Sequence, residues 1–371
     1  FQLLTNKELS LPSFSVTSAL PSIMNGGKDF SPWSKKDDLL YRTMRIPVEA
    51  VLGRDGVGLA DCAIAESKFE KGEDISPRML PLVQRMNDIR REGTPDIEFA
   101  ANGLLARSLL ASGQSEDARK TITDLRRQFA ERELTRFLPN MDAMLCRIAL
   151  HTGDMDEADA WYRAKAPREP THINILKRYQ YYTQAMVELA NGKPDSALLT
   201  LTPMEPYCTA CMRYIDTIHL KMLTAIALYQ KKDEMWREPL TAALALAEEY
   251  RFIRTVSVYG AAVLPLLDAL EWQGSAKWHK RLMADVRAQA AIYPRFLQPR
   301  LSMSEALTAA EMQVLRLICA DKSNAEIGEI LNIRVSTVKS HVSSVFSKLG
   351  VNRRSEARTA AKKLWLISED Q

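Results

Sequence analysis

A helix-ending turn recurs about every forty residues in the middle of this chain. Each turn ends an apolar helical stretch, and successive turns are 41, 40, 39, 39 and 43 residues apart. They lie at Gly72, Gly113, Gly153, Gly192, 230–233 and Gly274. Because a second helical stretch follows most of these turns, each pair of helices must bury its apolar face on its neighbours. The spacing therefore predicts an all-α fold, an α-solenoid of helix pairs.

The residues around Gly113 indicate the type of repeat. Small and apolar residues precede it at 104–106, and Ala118 follows it, where tetratricopeptide repeats place their packing residues. The middle of the chain thus resembles tetratricopeptide repeats with lengthened helices. The alternative is a set of unrelated antiparallel helices that share only their turn chemistry. Five consecutive near-equal spacings favour the solenoid.

The two ends of the chain do not carry the period. Residues 1–45 contain three prolines, which break long helices, so we predict an irregular lead-in that lies against another part of the protein. Near the other end, Pro294 and Pro299 stop the last repeat helix. At 371 residues the chain also exceeds what one hydrophobic core usually supports. We predict three parts, namely a lead-in (1–45), a helical repeat sensor domain (46–300) and a terminal domain (301–371).

Helix starts in the terminal domain are marked by two capping boxes. In Thr308-Ala-Ala-Glu311 and Ser323-Asn-Ala-Glu326, a hydroxyl and a carboxylate three residues later can satisfy each other's free backbone N–H groups. These motifs predict helices that start near residues 309 and 324. Ser336 is a predicted N-cap for a third helix, which runs to Gly350 as its C′ residue, and a fourth helix is predicted over 355–366. The second and third helical blocks are separated by only four residues, the layout of a helix-turn-helix motif.

The third predicted helix has two distinct faces. At 100° per residue, its apolar side chains form one seam: Val338, Val342, Val345 and Leu349. The opposite arc holds five serines (336, 340, 343, 344 and 347), with Lys339 on one flank and Thr337, His341 and Lys348 on the other. Serines have little bulk, so this helix can lie deep in a major groove while Lys339 reaches bases and phosphates. An ordinary solvent-facing helix surface is the alternative.

The distribution of charge supports the DNA-binding interpretation. The whole chain has a formal charge of only +4, but residues 334–363 hold eight Lys or Arg against one acid, a net charge of +7. The preceding residues 302–333 carry −3. Positive charge is thus concentrated at and after the third helix, where phosphates would lie. The expected partner is double-stranded DNA.

Several motifs of the terminal domain resemble a known family. Leu307-Thr308-Ala-Ala-Glu311, Ser336-Thr-Val-Lys-Ser-His-Val342 and Lys348-Leu-Gly-Val351 are similar to the LuxR-type four-helix DNA-binding domain, over about 65 residues. By position, the resemblance implies base contacts from Lys339, Ser340 and Ser343. It implies phosphate contacts from Thr337, His341, Lys348, Arg353 and Arg354.

The same resemblance implies a homodimer on DNA. In LuxR-type domains the fourth helix often supplies the dimer interface, which here would use residues 355–363. One departure concerns the turn before the second helix, where the family usually has glycine and this chain has Asp321-Lys322. The resemblance therefore leaves the geometry of this turn open.

Repeats followed by a LuxR-type domain resemble the C-terminal part of large regulators typified by the maltose-regulon activator, the MalT-like regulators. Residues 26–33 are similar to their junction between ATPase and repeats. The resemblance implies that an ATP-binding domain precedes Phe1, that no cofactor binds within this chain, and that the repeats sense a small-molecule inducer or a protein partner. It adds RNA polymerase to the expected partners. Tyr179 and Tyr182 could line a ligand groove, although aromatic residues at helical spacing usually pack between repeats.

Other functional classes find little support. The sequence shows no combination of a nucleophile and a general base that is typical of a catalytic site. We therefore predict no enzyme and no catalytic residues. Cys208-Thr-Ala-Cys211 has the spacing of a metal or redox pair, but without a second pair we interpret it as packed thiols, and we predict no metal site. The chain lacks a long apolar run and a signal sequence, and its five cysteines are scattered, so we expect a cytoplasmic protein with no membrane association. A repeat scaffold for protein assembly, with the DNA-binding module as anchor, is the alternative to a regulator.

Overall fold

The computed structural model describes residues 29, 31–73, 76–167, 177–299, 307–349, 351, 353–363 and 366, with only the backbone at 76–81 and 362–363. In these ranges the secondary structure is helical, with α-helices joined by turns and short 3₁₀ segments and with no strand. None of the described helices is both long enough and apolar enough to span a bilayer. The predicted all-α fold is confirmed.

The chain divides into two compact units, Phe1–Gln298 (unit 1) and Pro299–Gln371 (unit 2). The first described helices of unit 1 are α1 (Ser31–Ser34) and α2 (Asp37–Leu52). Five helix pairs follow: α3 (Leu59–Glu70) with α4 (Ser76–Glu92), α5 (Pro95–Ala111) with α6 (Ser115–Glu131), α7 (Leu138–Thr152) with α8 (Met155–Lys165), α9 (Arg178–Ala190) with α10 (Pro194–Leu201), and α12 (Tyr214–Gln230) with α13 (Arg237–Tyr250). A short helix, α11 (Glu205–Ala210), separates the last two pairs. Unit 1 ends with α14 (Arg254–Ser257), α15 (Gly260–Asp268) and α16 (Ala276–Ile292).

The first and second helices of each pair are buried to different extents. Every residue of α3 is buried, and so is nearly every residue of α9. By contrast, α6 buries a single stripe made of Ala118, Ile122, Leu125 and Phe129, at the spacing of one helix face. The first helices therefore form an inner layer and the second helices an outer, amphipathic layer. This is the arrangement predicted for a solenoid of helix pairs.

The turns inside the pairs explain the periodic glycines. Gly72, Gly113, Gly153 and Gly192 all have positive φ, between 62° and 82°, a region that side chains with a Cβ atom rarely adopt. In the fifth pair Lys232 takes the same role with φ of 60°. A left-handed residue thus reverses the chain at the end of each inner helix.

The inner side of the helix array is covered by the chain's own residues 253–298, which we call the closing segment. At its start, the backbone N–H of Ile253 donates to Glu70 O at 2.7 Å, and the Thr255 hydroxyl donates to the Glu70 carboxylate at 2.6 Å. Farther along, the Gln289 amide donates to Ala111 O at 2.8 Å. The closing segment is therefore bonded to the ends of the first two inner helices.

A group of buried charges lies where the fifth pair begins. Arg178, Arg213 and Asp216 are each 1% exposed, and the Asp216 carboxylate pairs with both guanidinium groups. Burial alone would raise the pKa of Asp216, but the charges of Arg213 and Arg178 hold it below its ordinary value. Asp29 adds a second carboxylate, which accepts the N–H of Ile215 at 2.7 Å, close to the start of α12. Burial raises the pKa of Asp29.

The start of the chain differs in part from the predicted lead-in. Residues 31–34 and 37–45, expected to be irregular, are helical. Pro32 lies in the first turn of α1, where its missing N–H is not needed. The expectation that the lead-in lies against another part of the protein agrees with Asp29, which contacts α12. The remaining residues of this segment, 1–28 and 30, lie outside the described ranges.

Candidate DNA-binding site

The described residues of unit 2 form four helices: α17 (Ala309–Cys319), α18 (Asn324–Leu331), α19 (Val335–Leu349) and α20 (Arg354–Lys363). Both predicted capping boxes are present. Thr308 and Ser323 each accept the N–H of the glutamate three residues later at 3.3 Å, and each glutamate accepts the N–H of its cap at 2.7 Å. The two helices therefore begin where the motifs predicted.

The turn between α17 and α18 is where the chain departs from the LuxR-type pattern. Asp321 stands at the usual glycine position and has φ of 60°, so it adopts the left-handed conformation that glycine would provide. The N–H of Lys322 donates to Leu317 O at 3.0 Å, which closes the turn. Asp321 also pairs with Arg358 of α20. The turn geometry is thus kept without glycine.

The core of unit 2 holds α19 by its predicted apolar seam. Val338 and Val345 are fully buried. Val338 packs in a cluster with Val314, Ile318 and Ile327, while Val345 packs with Leu315 and Ala361. Val342 and Leu349 are partly buried against these clusters, as the seam requires. The helix starts at Val335, so Ser336 lies inside its first turn and is not the predicted N-cap. Gly350 lies outside the described residues.

The opposite face of α19 is open. Four of the five predicted serines are exposed, namely Ser336, Ser340, Ser343 and Ser347. Lys339 and Thr337 are exposed as well, and His341 is half-buried. The three residues assigned to base contacts, Lys339, Ser340 and Ser343, therefore lie together on the accessible side of the helix. A narrow polar helix face with one cation is suited to the floor of a major groove.

Ser344 and Lys348 are placed differently from the prediction. The Ser344 hydroxyl donates to Glu311 Oε1 at 2.5 Å, and Lys348 Nζ donates to Glu311 Oε2 at 2.9 Å. The Lys348 side chain is only 13% exposed. Hydrogen bonds from Ser344, Lys348 and Thr308 hold the pKa of Glu311 at about 2. Lys348 therefore fixes α19 to α17, and its charge is already compensated, which argues against the predicted phosphate contact.

The two arginines at the start of α20 also have different surroundings. Arg353 is exposed, so it is placed to reach a phosphate. Arg354 instead donates from Nη1 to Lys322 O at 2.6 Å and from Nη2 to Asn324 Oδ1 at 2.5 Å. It thus joins α20 to the start of α18, so its main contacts are structural rather than those predicted.

Arg334 is an exposed basic residue that was not among the predicted contacts. It lies directly before α19, and its carbonyl accepts the N–H groups of Thr337 and Val338 at 2.9 and 3.0 Å. Its backbone is therefore fixed at the start of this helix. In the sequence, only the local excess of positive charge could have indicated Arg334, because the resemblance to LuxR-type domains assigned no DNA contact to this position.

The tyrosines predicted to line a ligand groove are inside unit 1. Tyr179 is 5% exposed and lies under the Arg147 guanidinium, 3.7 Å from the ring centre. Tyr182 is 1% exposed and donates its hydroxyl to Asp216 O at 2.9 Å. Its hydroxyl also lies 3.7 Å from the buried thiol of Cys208. Both rings are buried between helix pairs, as the packing alternative expects.

A charged cavity opens on the described part of unit 1. It has a volume of about 440 Å³ and is lined mainly by charged residues from α2, α3 and the end of α13: Lys35, Lys36, Asp37, Asp38, Leu39, Lys68, Lys71, Glu73 and Arg251. Lys71 donates to Asp37 at 2.7 Å, and Lys68 donates to Asp38 at 2.7 Å. Most of its charges are therefore engaged with one another.

These observations define the class of protein. It is a regulator in which a helical repeat array is followed by a helix-turn-helix domain. Comparison with known families gives the same division. Residues 82–273 match the family described as the MalT-like TPR region, and residues 305–361 match the luxR family of bacterial regulatory proteins. The first match covers more than half of the chain, so the chain belongs to the MalT-like repeat family.

Curated relatives carry the name HTH-type transcriptional regulator MalT. The protein of Cronobacter sakazakii is 26% identical over 293 residues, which cover 73% of this chain and 32% of the relative. Those of Vibrio campbellii and Klebsiella pneumoniae are 23% and 24% identical over 73% and 75% of this chain, and over 32% and 33% of their own lengths. The chain thus spans about a third of the length of these relatives. No solved structure matches it significantly.

Proposed function

We propose that this chain is the DNA-binding and signal-receiving part of a sequence-specific transcription regulator. The exposed face of α19 is the observation that supports the DNA-binding role most directly. Val338 and Val345 anchor one side of this helix in the core, while Lys339, Ser340 and Ser343 remain accessible on the other. Arg334 and Arg353 are also exposed in unit 2, where they can contact phosphates.

Pairing of two chains on DNA is part of this proposal. The exposed side chains of α20 include Ser355, Glu356 and Thr359, whereas Ala357 and Ala361 face the core. The exposed side of this helix is therefore available to a second copy. Two half-sites one helical turn apart would then be read by a symmetric pair. RNA polymerase is a further proposed partner of the DNA-bound regulator.

The array is proposed to receive the signal, an inducer or a protein partner. The charged cavity beside α2 is compatible with a small polar ligand. Membership in the MalT-like repeat family supports a regulator over a scaffold.

The DNA-binding role can be tested even though the operator sequence is unknown. Selection from a random duplex library with the full chain would yield the preferred sequence, and titrations would then compare variants on it. Lys339→Ala should weaken specific binding by roughly 1–3 kcal/mol and relax the sequence preference. Arg353→Ala should weaken binding to every duplex alike and reduce the salt slope by about one.

Arg127→Ala is the matched control, because Arg127 is an exposed arginine of unit 1 that pairs with the neighbouring Asp124. It should leave affinity and sequence preference unchanged. If Lys339→Ala also left both unchanged, the assignment of α19 as the recognition helix would be wrong.

A further inference from the structure

The last six residues of unit 1, residues 293–298, lie across the ends of three inner helices. They follow α16 directly, and unit 2 begins with the next residue, Pro299. The Tyr293 hydroxyl donates to Leu110 O, near the end of α5, at 2.7 Å. The Gln230 amide, at the end of α12, donates to Leu297 O at 3.4 Å. The segment is therefore attached to the rim of the array rather than to one neighbouring helix.

Aromatic packing fixes the centre of this segment. The ring of Phe296 stacks on His151, near the end of α7, with ring centres 3.8 Å apart and planes 20° apart. Tyr293 meets the same histidine edge-on at 5.0 Å. Phe296 and Leu297 are each 1% exposed. One histidine of the inner layer thus contacts both aromatic residues of the segment.

The segment also has the features of a part that can detach locally. Leu297 has φ of 52°, in the left-handed region that a branched side chain rarely adopts. Pro294, Arg295 and Gln298 are exposed between the buried residues. Because the stretch lies at the end of a unit and contains one residue in an unfavourable backbone conformation, it can detach without unfolding the helices on which it lies.

Detachment would change the length of chain between the two units. Nine residue steps separate Gln298 from Leu307, the first described residue of unit 2 after Pro299. Whatever their conformation, they span at most roughly 30 Å. Fifteen steps separate Ile292 from Leu307, which extends the limit to roughly 50 Å.

We propose that residues 293–298 form a latch, which when seated on the rim of the array restricts the reach of the DNA-binding unit and when released extends it. The meaning of this device for regulation rests on the proposed function, since two half-sites lie about 34–36 Å apart and two arrays must allow both DNA-binding units to reach them. Signals that act on the array ends could then control the pairing of the two units on DNA.

The test measures reach directly and uses no DNA. Spin labels are attached to Lys120→Cys on α6 and Gln313→Cys on α17, both exposed positions, after Cys211 and Cys319 have been replaced by alanine in the full chain. Pulsed electron resonance gives the distribution of distances between the labels. Phe296→Ala should release the latch, because it removes the ring stacked on His151. The upper edge of the distribution should move outward by up to roughly 20 Å.

Phe129→Ala is the matched control. Phe129 is also a fully buried aromatic residue, but it packs on Phe137, in the 3₁₀ segment before the third pair, and not on the latch. It should leave the distance distribution as in the unmodified chain. An unchanged distribution in a folded Phe296→Ala variant whose amides at 293–298 exchange hydrogen faster would overturn the proposal.

If Phe296→Ala does not fold, Tyr293→Phe replaces it. This variant loses only the hydroxyl that donates to Leu110 O, so the array should remain intact. A smaller outward shift is expected, and faster amide exchange at 293–298 without any shift would overturn the proposal in the same way. A failure of DNA binding would leave this measurement unaffected, so the latch and the proposed function are tested separately.

Discussion

The repeat array and the DNA-binding unit use charge in opposite ways. In unit 1, Arg178, Arg213 and Asp216 are almost completely buried and compensate one another. In unit 2, Lys339 on α19 and Arg334 directly before it are exposed, while Lys348 is drawn inward by Glu311. The difference shows that a basic residue count alone does not identify a DNA contact. Exposure and the nearest carboxylate decide whether a cation is available to a phosphate.

The largest expected effect comes from breaking the buried charge group of unit 1. Asp216→Ala leaves two buried guanidinium groups without their carboxylate, which should cost about 3–5 kcal/mol of the free energy of unfolding of unit 1. Calorimetry should show the transition of unit 1 at a much lower temperature and that of unit 2 unchanged. Asp124→Ala, which removes an exposed partner of Arg127, should cost less than about 1 kcal/mol. Equal losses in the two variants would contradict this assignment.

The two units should also differ in how their stability depends on pH. Burial lowers the pKa values of His151 and His219 to about 4. Since the unfolded chain binds protons at these sites near the ordinary value of 6.5, unit 1 is fully stabilised above that pH and loses stability as the pH falls towards 4. The loss should be on the order of a few kcal/mol. The charges of Glu70, Arg147, Arg107 and Asp216 lie near His219. They change the size of its pKa shift but do not cancel it.

The corresponding group of unit 2 responds at lower pH. The pKa of Glu311 is held at about 2, below its ordinary 4.5, so its contribution is present above pH 4.5 and is lost as the pH falls towards 2. Calorimetric scans at several pH values should show the transition of unit 1 falling first. His151→Gln with His219→Gln should flatten that fall between pH 6.5 and about 4. If the transition of unit 1 depends on pH in the double variant as it does in the unmodified chain, the two histidines are not the cause of that dependence.

Two lysines on α19 provide an internal comparison within unit 2. Lys348→Met keeps the alkyl chain but leaves the buried Glu311 carboxylate without its cation, which should destabilise unit 2 by about 1–3 kcal/mol. Lys339→Met changes an exposed residue and should leave the stability nearly unchanged while it weakens DNA binding. Thermal unfolding and DNA titration of both variants check the difference. The reverse result, with stability lost at Lys339 and affinity at Lys348, would show that Lys348 contacts phosphate after all.

The smallest expected effect concerns a turn of the array. Lys232 is exposed and has φ of 60°, whereas the other pairs have glycine at this turn. Lys232→Gly should therefore stabilise unit 1 by roughly 0.5–1 kcal/mol. Lys120→Gly, in the middle of α6, should destabilise it by about as much. A higher melting temperature for the first variant and a lower one for the second would confirm that backbone conformation, not loss of a lysine, controls the result.

Local patterns were sufficient to predict much of this structure. The period of the turns predicted the helix pairs, the capping boxes predicted the starts of α17 and α18, and the 100° spacing predicted that Val338 and Val345 are buried. Each of these depends on residues a few positions apart. The choice between packing and groove for Tyr182 was left open by the sequence, because its partner is 34 residues away.

The features that escaped prediction are long-range. Glu311 binds Lys348, 37 residues later, and Arg354 reaches Lys322 across 32 residues, so neither pairing follows from helix periodicity. Asp29 meets Ile215 across 186 residues. The resemblance to LuxR-type domains could assign positions on a helix, but it could not show which cations the rest of unit 2 already uses.

The closing segment also has a consequence for the order in which the array acquires its structure. An open solenoid can fold pair by pair, because each pair contacts only its neighbours. Here the first inner helix bonds through Glu70 to Ile253, and the second through Ala111 to Gln289, so contacts of very long sequence separation join distant pairs. During synthesis the first helix pairs are made before residues 253–298. Their contacts with the closing segment can therefore form only after those residues have been synthesised. We expect the array to fold slowly and as one cooperative body, and early termination of the chain to leave an aggregation-prone intermediate.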